Sequence, residues 1–223
     1  MKALIKENLP GDHPWQNHIH WFDTIDSTNT RAKELAIAGA PEGTVVAAGS
    51  QSAGRGRLGR SFQSPEHAGV YMSVILRPNC PPAQLMHLTC AVAVAMCDAV
   101  DLCAKVRPGI KWINDLVIGR RKLGGILTEL ILNPATGLVD AAIVGIGINV
   151  TQQPEDFSPE LRDMAISLQH AAGKEIAPSL LAAHMILALS RMDLSIPARA
   201  AVMGAYRRDC ITLGQQVRLV RGE

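Results

Sequence analysis

From residue 43 to residue 150 the chain is a succession of short apolar runs, rich in β-branched residues and punctuated by turn signals. "GTVVAAGS" (43–50), "GVYMSVILRP" (69–78), the two halves of "GIKWINDLVIGRRKLGGILTELIL" (109–132) and "LVDAAIVGIGINV" (138–150) read as strands. The turn-forming run "PNCPP" stops the second of them, and Gly119-Arg120 marks a hairpin tip. Between them "PAQLMHLTCAVAVAMCDAV" (82–100) reads as a helix, apolar almost all round, as a buried helix would be. A doubly wound parallel sheet needs a crossover between successive strands, whereas most neighbours here are joined by short loops. The pattern predicts an α+β fold: a mixed, largely antiparallel sheet with helices packed on it. Upstream, "IHWFDTID" near residue 20 suggests a short strand, and "NTRAKELAIAG" a helix that Ser27 or Thr28 could cap and Gly39 could end. Downstream, "SLLAAHMILALSRM" (179–192) reads as a helix, and "CITLGQQVRLVRGE" (210–223) has strand propensity.

The strand at 43–50 leads straight into "QSAGRGRLGRSF", which contains Gly-x-Gly-x-x-Gly at residues 54–59. That spacing is the dinucleotide-binding fingerprint only when a helix follows the glycines and an acidic residue lies about twenty positions on. Neither is present: "SFQSPEHAG" has no helical period, and "RPNCPP" has no acid. Arg55 and Arg57 inside the turn would also crowd a pyrophosphate held by backbone N–H groups. What remains is a glycine loop with Arg55, Arg57 and Arg60, suited to folding around a small anionic ligand, since arginine forks grip carboxylate or phosphate bidentately. Taken alone, such a loop is more often a solvated basic surface.

Composition narrows the classes. Charged residues are 19% and the hydrophobic set 48%, so the chain is globular, and a formal charge of +2 gives no general drive toward nucleic acid or a membrane. No apolar run is read as long enough to span a bilayer, and "MKALIKENLPGDHPW" has no signal-peptide h-region. The five cysteines, Cys80, Cys90, Cys97, Cys103 and Cys210, lack CxxC spacing and read as reduced core thiols of a cytoplasmic protein. The histidines show no zinc-binding spacing.

Three further segments stand out. "DSTNT" (26–30) clusters hydroxyl and amide groups at a helix start, where capping is their common use. "KWIND" (111–115) is followed by "RRKLGGIL" (120–127), in which Lys122 shortly precedes Gly124 and Gly125; by itself this is an ordinary basic hairpin with a glycine bulge. "GIGINV" (145–150) places Asn149 near the end of an apolar strand.

In this order, "DSTNT", "QSAGRGRLGR", "KWIND", "RRKLGGIL" and "GIGINV" resemble the biotin protein ligases, also called biotin–[acetyl-CoA-carboxylase] ligases. The resemblance runs from about residue 19 to the end of the chain. It implies a catalytic domain like that of class II aminoacyl-tRNA synthetases and biotin synthetases over residues 1–208. Residues 209–223 would supply the first strand of a C-terminal SH3-like domain, the rest of which is absent from the sequence. The implied reaction joins biotin to ATP, with Mg2+, and passes the biotinyl group from biotinyl-5′-adenylate to a lysine of a biotin carboxyl carrier domain.

By match to the family's motifs, Lys122, Arg55 and Arg57 are implied to be catalytic, with Lys122 between the biotin carboxylate and the α-phosphate. Ser27, Thr28, Asn29, Gln51, Gly54, Gly56, Gly124 and Gly125 join them around biotin, and Trp112, Asn114 and Asn149 lie on the adenylate side. Asp115 could bind Mg2+, assist the attacking amine, or be a structural aspartate paired with Lys111 or an arginine. The bifunctional members carry an N-terminal DNA-binding domain; fewer than twenty residues precede the resemblance here, so DNA binding is not expected. No membrane partner is expected either, and a homodimer is left open. Phe62 stands where the family often has Trp. Lipoate–protein ligases share the fold and the adenylation chemistry, but their Arg-Arg-x-x-Gly-Gly-Gly motif is missing from the corresponding region. A nucleic-acid module using the arginine loop would need a wider basic face and more than 4% aromatics.

Overall fold

In the computed structural model, which describes residues 1–195 and 197–217, seven strands form a sheet in the order β1-β2-β3-β7-β6-β5-β4. These are β1 (Ile19–Ile25), β2 (Val45–Gln51), β3 (Gly69–Leu76), β4 (Gly109–Lys111), β5 (Asp115–Ile118), β6 (Arg121–Leu132) and β7 (Val139–Asn149). β1 and β2 are parallel because helix α2 (Thr28–Ile37) crosses between them, and the other pairs are antiparallel. The mixed, largely antiparallel sheet is therefore present. Gly119, at φ 60, makes the β5–β6 hairpin tip.

The sheet buries its two faces unequally. One carries the main core, where α3 (Leu88–Ala104) and α5 (Pro178–Ser190) pack with α1 (Lys2–Glu7) and α6 (Arg199–Asp209) against Val74, Val144, Ile126 and Ile148. The other carries α2, whose Ala32 and Ala36 sit on Val46, Ile75, Ala141 and Ile143. Small alanines there bring the start of α2 close to the sheet, and "DSTNT" with it.

Several expectations need correction. The stretch Pro82–Ala104 does reach the length and apolarity of a spanning helix, contrary to the sequence reading. Here most of it is buried within the protein: a short 3-10 turn at Pro82–Leu85 precedes α3, and Val92, Met96, Cys97 and Val100 are fully enclosed by the core. The 109–132 stretch forms three strands rather than two. Asn114 makes the extra turn by bonding to Ile126 twice, its backbone carbonyl accepting from Ile126 N–H at 3.0 Å and its Nδ2 donating to Ile126 O at 3.0 Å. Ser27 occupies the cap position of α2, yet its side chain caps nothing. The short helices α1 and α4 (Leu168–Ala172) and the longer α6 carried no sequence signal that was read.

All five cysteines are free thiols; Cys90, Cys97 and Cys210 are buried, and Cys80 and Cys103 are partly exposed. Burial pushes the Cys97 thiol up to about 12, which keeps it protonated and out of nucleophilic chemistry. Residues 210–217 of the expected C-terminal strand carry an isolated bridge at Cys210 and then turns. Its remainder, 218–223, lies outside the described residues.

Candidate active site

The glycine-arginine run leaves the end of β2 as a narrow hairpin-like loop. Its arms are tied by Gln51 N–H to Ser64 O (3.3 Å), Phe62 N–H to Gly54 O (2.9 Å) and Gly56 N–H to Arg60 O (2.7 Å). A side chain at Gly54 would overlap Phe62 O, so the arms can approach this closely only at glycine. The tip turns through left-handed Leu58 and Gly59, and Leu58 is 91% exposed. Tyr71 anchors the returning arm, donating from its hydroxyl to Pro65 O (3.1 Å) and packing edge-on against Phe62; burial pushes its phenol well above the usual range.

Arg55 and Arg57 do not project idly into solvent. Arg55 grips Glu129 of β6 with two parallel bonds, Nη1 to Oε2 and Nη2 to Oε1, both 3.0 Å. Arg57 donates from Nη1 to Asn114 Oδ1 at 2.8 Å. From there an unbroken polar chain continues: Asn114 Nδ2 donates to Asp115 Oδ1 (3.3 Å), which pairs with Lys122 Nζ (2.8 Å). The β5–β6 register makes this last pairing possible. A shift between Leu116 and Val117 lets Leu123 bulge, and Lys122 then reaches along the strand to lie over bare Gly125. A methyl on Gly125 would stand 3.4 Å from both Lys122 Nζ and Asp115 Oδ1.

A second polar chain starts at α2. Thr28 N–H, an open donor at the helix start, is met by Gln51 Oε1 at 2.8 Å in place of a local cap. Gln51 Nε2 in turn donates to Ser64 Oγ (2.8 Å), which ties the helix start to the loop. Fully buried Ser73 lies 2.8 Å from the Thr28 hydroxyl and 2.6 Å from Asn29 Oδ1. Ser73 has one proton and Asn29 Oδ1 can only accept, so that proton goes to Asn29. Asn29 Nδ2 then donates to Glu129 Oε2 (2.9 Å), the carboxylate that holds Arg55. Asn29 fits there because β7 is bare at Gly145, where a Cβ would collide with its carboxamide. Two residues on, Gly147 accepts the Phe62 ring, which a Cβ would approach to 2.6 Å.

The structure thus gathers Thr28, Asn29, Gln51, Gly54, Gly56, Arg55, Arg57, Asn114, Asp115, Lys122 and Gly125 into one connected region. Other expected members lie outside the two polar chains. Ser27 is buried without capping α2, and Trp112 is 64% exposed. Gly124 is pressed against the Gly147 carbonyl of the neighbouring strand. Asn149 is occupied structurally, its Nδ2 reaching Ile166 O (3.4 Å) while its Oδ1 accepts from Gln152 (3.2 Å). Asp115 pairs with Lys122, neither with Lys111 nor with an arginine. Glu129, Ser73, Ser64 and the two glycines of β7 were missed. Glu129 is the lone acid in an apolar strand, and Gly145 and Gly147 interrupt another; both are readable signs of a partner or a close approach.

The region holds no obvious cage for a metal. Among the described residues no three His, Cys, Asp or Glu side chains cluster, and Asp115 is committed to an ammonium. A cleft of about 190 Å3, lined by Arg121, Gln152, Phe157, Arg162, Ile166 and His170, adjoins the strand carrying Lys122. The polar region itself is filled by its own ion pairs, which a ligand would have to replace.

Residues 21–149, which include both polar chains from Thr28 to Glu129, match the biotin/lipoate A/B protein ligase family. The chain is 44% identical over 174 residues to the bifunctional ligase/repressor BirA of Bacillus subtilis, covering 78% of this chain and 53% of that protein. It thus spans about half the length of that relative. It is 32% identical over 223 residues to the biotin–[acetyl-CoA-carboxylase] ligase of Mycobacterium tuberculosis, covering 96% of this chain and 79% of that one. Its fold superposes on the biotin protein ligase of Aquifex aeolicus, solved in complex with biotin and ATP, with a TM-score of 0.72 and 27% identity over 88% of this chain and 80% of that one. With the sheet, the arginine loop and the motif order all in agreement, the chain belongs to the biotin/lipoate A/B protein ligase family.

Proposed function

We propose that the protein joins biotin to ATP, giving biotinyl-5′-adenylate and pyrophosphate, and then transfers the biotinyl group to a lysine of a carboxylase carrier domain. The observation that carries this reading is the polar chain Arg57–Asn114–Asp115–Lys122 beside the second chain Arg55–Glu129–Asn29. In the first step a carboxylate oxygen attacks the α-phosphorus and the bond to pyrophosphate breaks. Two anions must meet, and Arg57 and Lys122 supply the positive charge that offsets their repulsion. Lys122 is a compact ammonium over a bare glycine, so it can follow charge moving onto phosphorus. In the second step the acceptor amine attacks the acyl carbon and AMP leaves; Asp115, bonded to Lys122, is the carboxylate at hand for the amine's proton.

Biotin is favoured over lipoate by the chemistry around α2. Thr28, Asn29 and Gln51 are hydrogen-bonding groups suited to a ureido head, backed by buried Ser73. A dithiolane ring offers such groups no hydrogen-bonding partner, whereas a ureido head can exchange bonds with them. Any Mg2+ would come with the ATP phosphates, whose oxygens suit it, since no three His, Cys, Asp or Glu side chains cluster among the described residues. In this reading residues 1–208 are the catalytic unit, 209 onward opens a further domain, and the protein works in the cytoplasm. The test is pyrophosphate release from ATP, assayed with biotin and separately with lipoate. Release is expected with biotin alone; release with lipoate alone, or with neither, would count against the reading.

The loop over residues 54–65 is expected to loosen without ligand, since its arginines meet the body only through polar contacts and its tip is exposed. Trypsin should cut after Arg57 or Arg60 readily in the free protein and more slowly with biotin and ATP present. Equal cleavage in both conditions would rule out ligand-dependent ordering.

A further inference from the structure

The 112–114 turn presents Asn114 to Arg57 and Asp115 to Lys122; Ile126 of β6 holds its Asn114 end, and the support of residues 110–113 comes from outside the site. β4 is the last strand of the sheet and has only three residues. Its free edge is occupied by the segment that follows α6: Ile211 N–H donates to Ile110 O (2.9 Å), and Cys210 bridges Ile110 in parallel. Gly109 leaves room for Ile211, whose Cγ2 would stand 2.5 Å from a Cβ there. One residue further, the Trp112 backbone N–H donates to the Thr212 hydroxyl at 2.9 Å. Tyr206 of α6 donates from its hydroxyl to Ile113 O at 3.3 Å. The base of this segment is pinned to α3 by Arg107, which pairs with Asp209 and with Asp98. Three backbone groups across residues 110–113 are thus each held by α6 or by the segment after it. The Trp112 indole is largely exposed and gives the turn little anchorage of its own.

We infer that Thr212 and Tyr206 are positioning residues for the adenylation step, fixing the 112–114 turn so that Asn114 and Asp115 hold Arg57 and Lys122 in place. The inference rests on the ligase reading above for its catalytic consequence, but the clip itself is a property of the fold. Loss of either bond loosens residues 112–113, leaving Asn114 to its two bonds with Ile126, and so weakens the chain that orients Arg57 and Lys122. The effect falls on ATP and on turnover, while the groups around α2 keep their partners on β2, β3 and β6.

The test uses Thr212→Val, which keeps the β-branched shape and removes the acceptor, with Thr212→Ser and Tyr206→Phe beside it. In Thr212→Val, amide exchange over residues 110–115 should speed about tenfold, and kcat/KM for ATP should fall by a similar factor. KM for biotin should stay within about twofold, and Thr212→Ser should restore both readouts. Tyr206→Phe should act in the same direction. Unchanged exchange in Thr212→Val overturns the clip whether or not the chain turns over biotin. Faster exchange with unchanged ATP kinetics in an active protein overturns the positioning role, as does an equal loss for both substrates that serine does not rescue. Absence of biotin-dependent release from the unaltered chain would instead sink the ligase reading and leave the exchange result to judge the clip.

Discussion

Replacing Lys122 with alanine is expected to lower biotin-dependent pyrophosphate release by about 10²–10³-fold, the usual cost of removing one preorganised electrostatic stabiliser. The loss is compound. The ammonium is the partner of Asp115 at 2.8 Å, so its removal also leaves a carboxylate facing the incoming anions. Removing that carboxylate as well, in Lys122→Ala/Asp115→Asn, should recover part of the loss, because repulsion is relieved although no attraction returns. Lys122→Arg should recover little. A guanidinium is broad and planar, while Lys122 rests against the surface of Gly125 in a space a methyl would share at 3.4 Å. Melting temperatures should change little, since Lys122 is partly exposed and its ion pair is screened by solvent. A Lys122→Ala protein within tenfold of the unaltered chain would show that the ammonium does not act on the reaction.

Most of the strands were legible because each is a short β-branched run with its own turn signal, and the antiparallel pairing of β5, β6 and β7 follows from short connections; the order, which sets β7 beside β3, was not read. The refusal of a dinucleotide role for "GRGRLG" was equally legible: the run leads into a narrow loop closed on itself, and no helix of regular length follows it. What could not be read was the pairing across the fold. Arg55 meets Glu129 and Arg57 meets Asn114 through the packing of a loop on distant strands, and nothing local in either segment announces the other. Capping shows the same limit. Ser27 and Thr28 are the residue types that cap helices, yet the acceptor for the open N–H is Gln51, delivered by the parallel β1–β2 pairing. Asn149 was read from its place in "GIGIN", while Gly145 and Gly147 beside it, the bare positions that admit Asn29 and Phe62, were not.

Gly145 supplies the sharpest test of that last point. In Gly145→Ala the new methyl would occupy the place of the Asn29 carboxamide, so Asn29 must leave its pocket on β7. Its bonds to Ser73 and Glu129 go with it, and fully buried Ser73 keeps only the Thr28 hydroxyl as partner. The expected cost is about 2–4 kcal/mol of stability, built from stranded polar groups and strain at a packed strand. KM for biotin should rise more than tenfold while KM for ATP moves little, since Arg57, Asn114 and Lys122 belong to the other polar chain. Asn29→Ala distinguishes this cause from a general intolerance of the strand. If the collision with Asn29 is the whole difficulty, Gly145→Ala should cost almost nothing further once that carboxamide is gone, and the two changes should be strongly non-additive. Biotin use should nevertheless stay impaired in the double variant, because the space is restored but the hydrogen-bonding group is not. Equal cost of Gly145→Ala in both backgrounds, read by denaturant unfolding, would place the constraint in the strand itself and remove Gly145 from the account of the site.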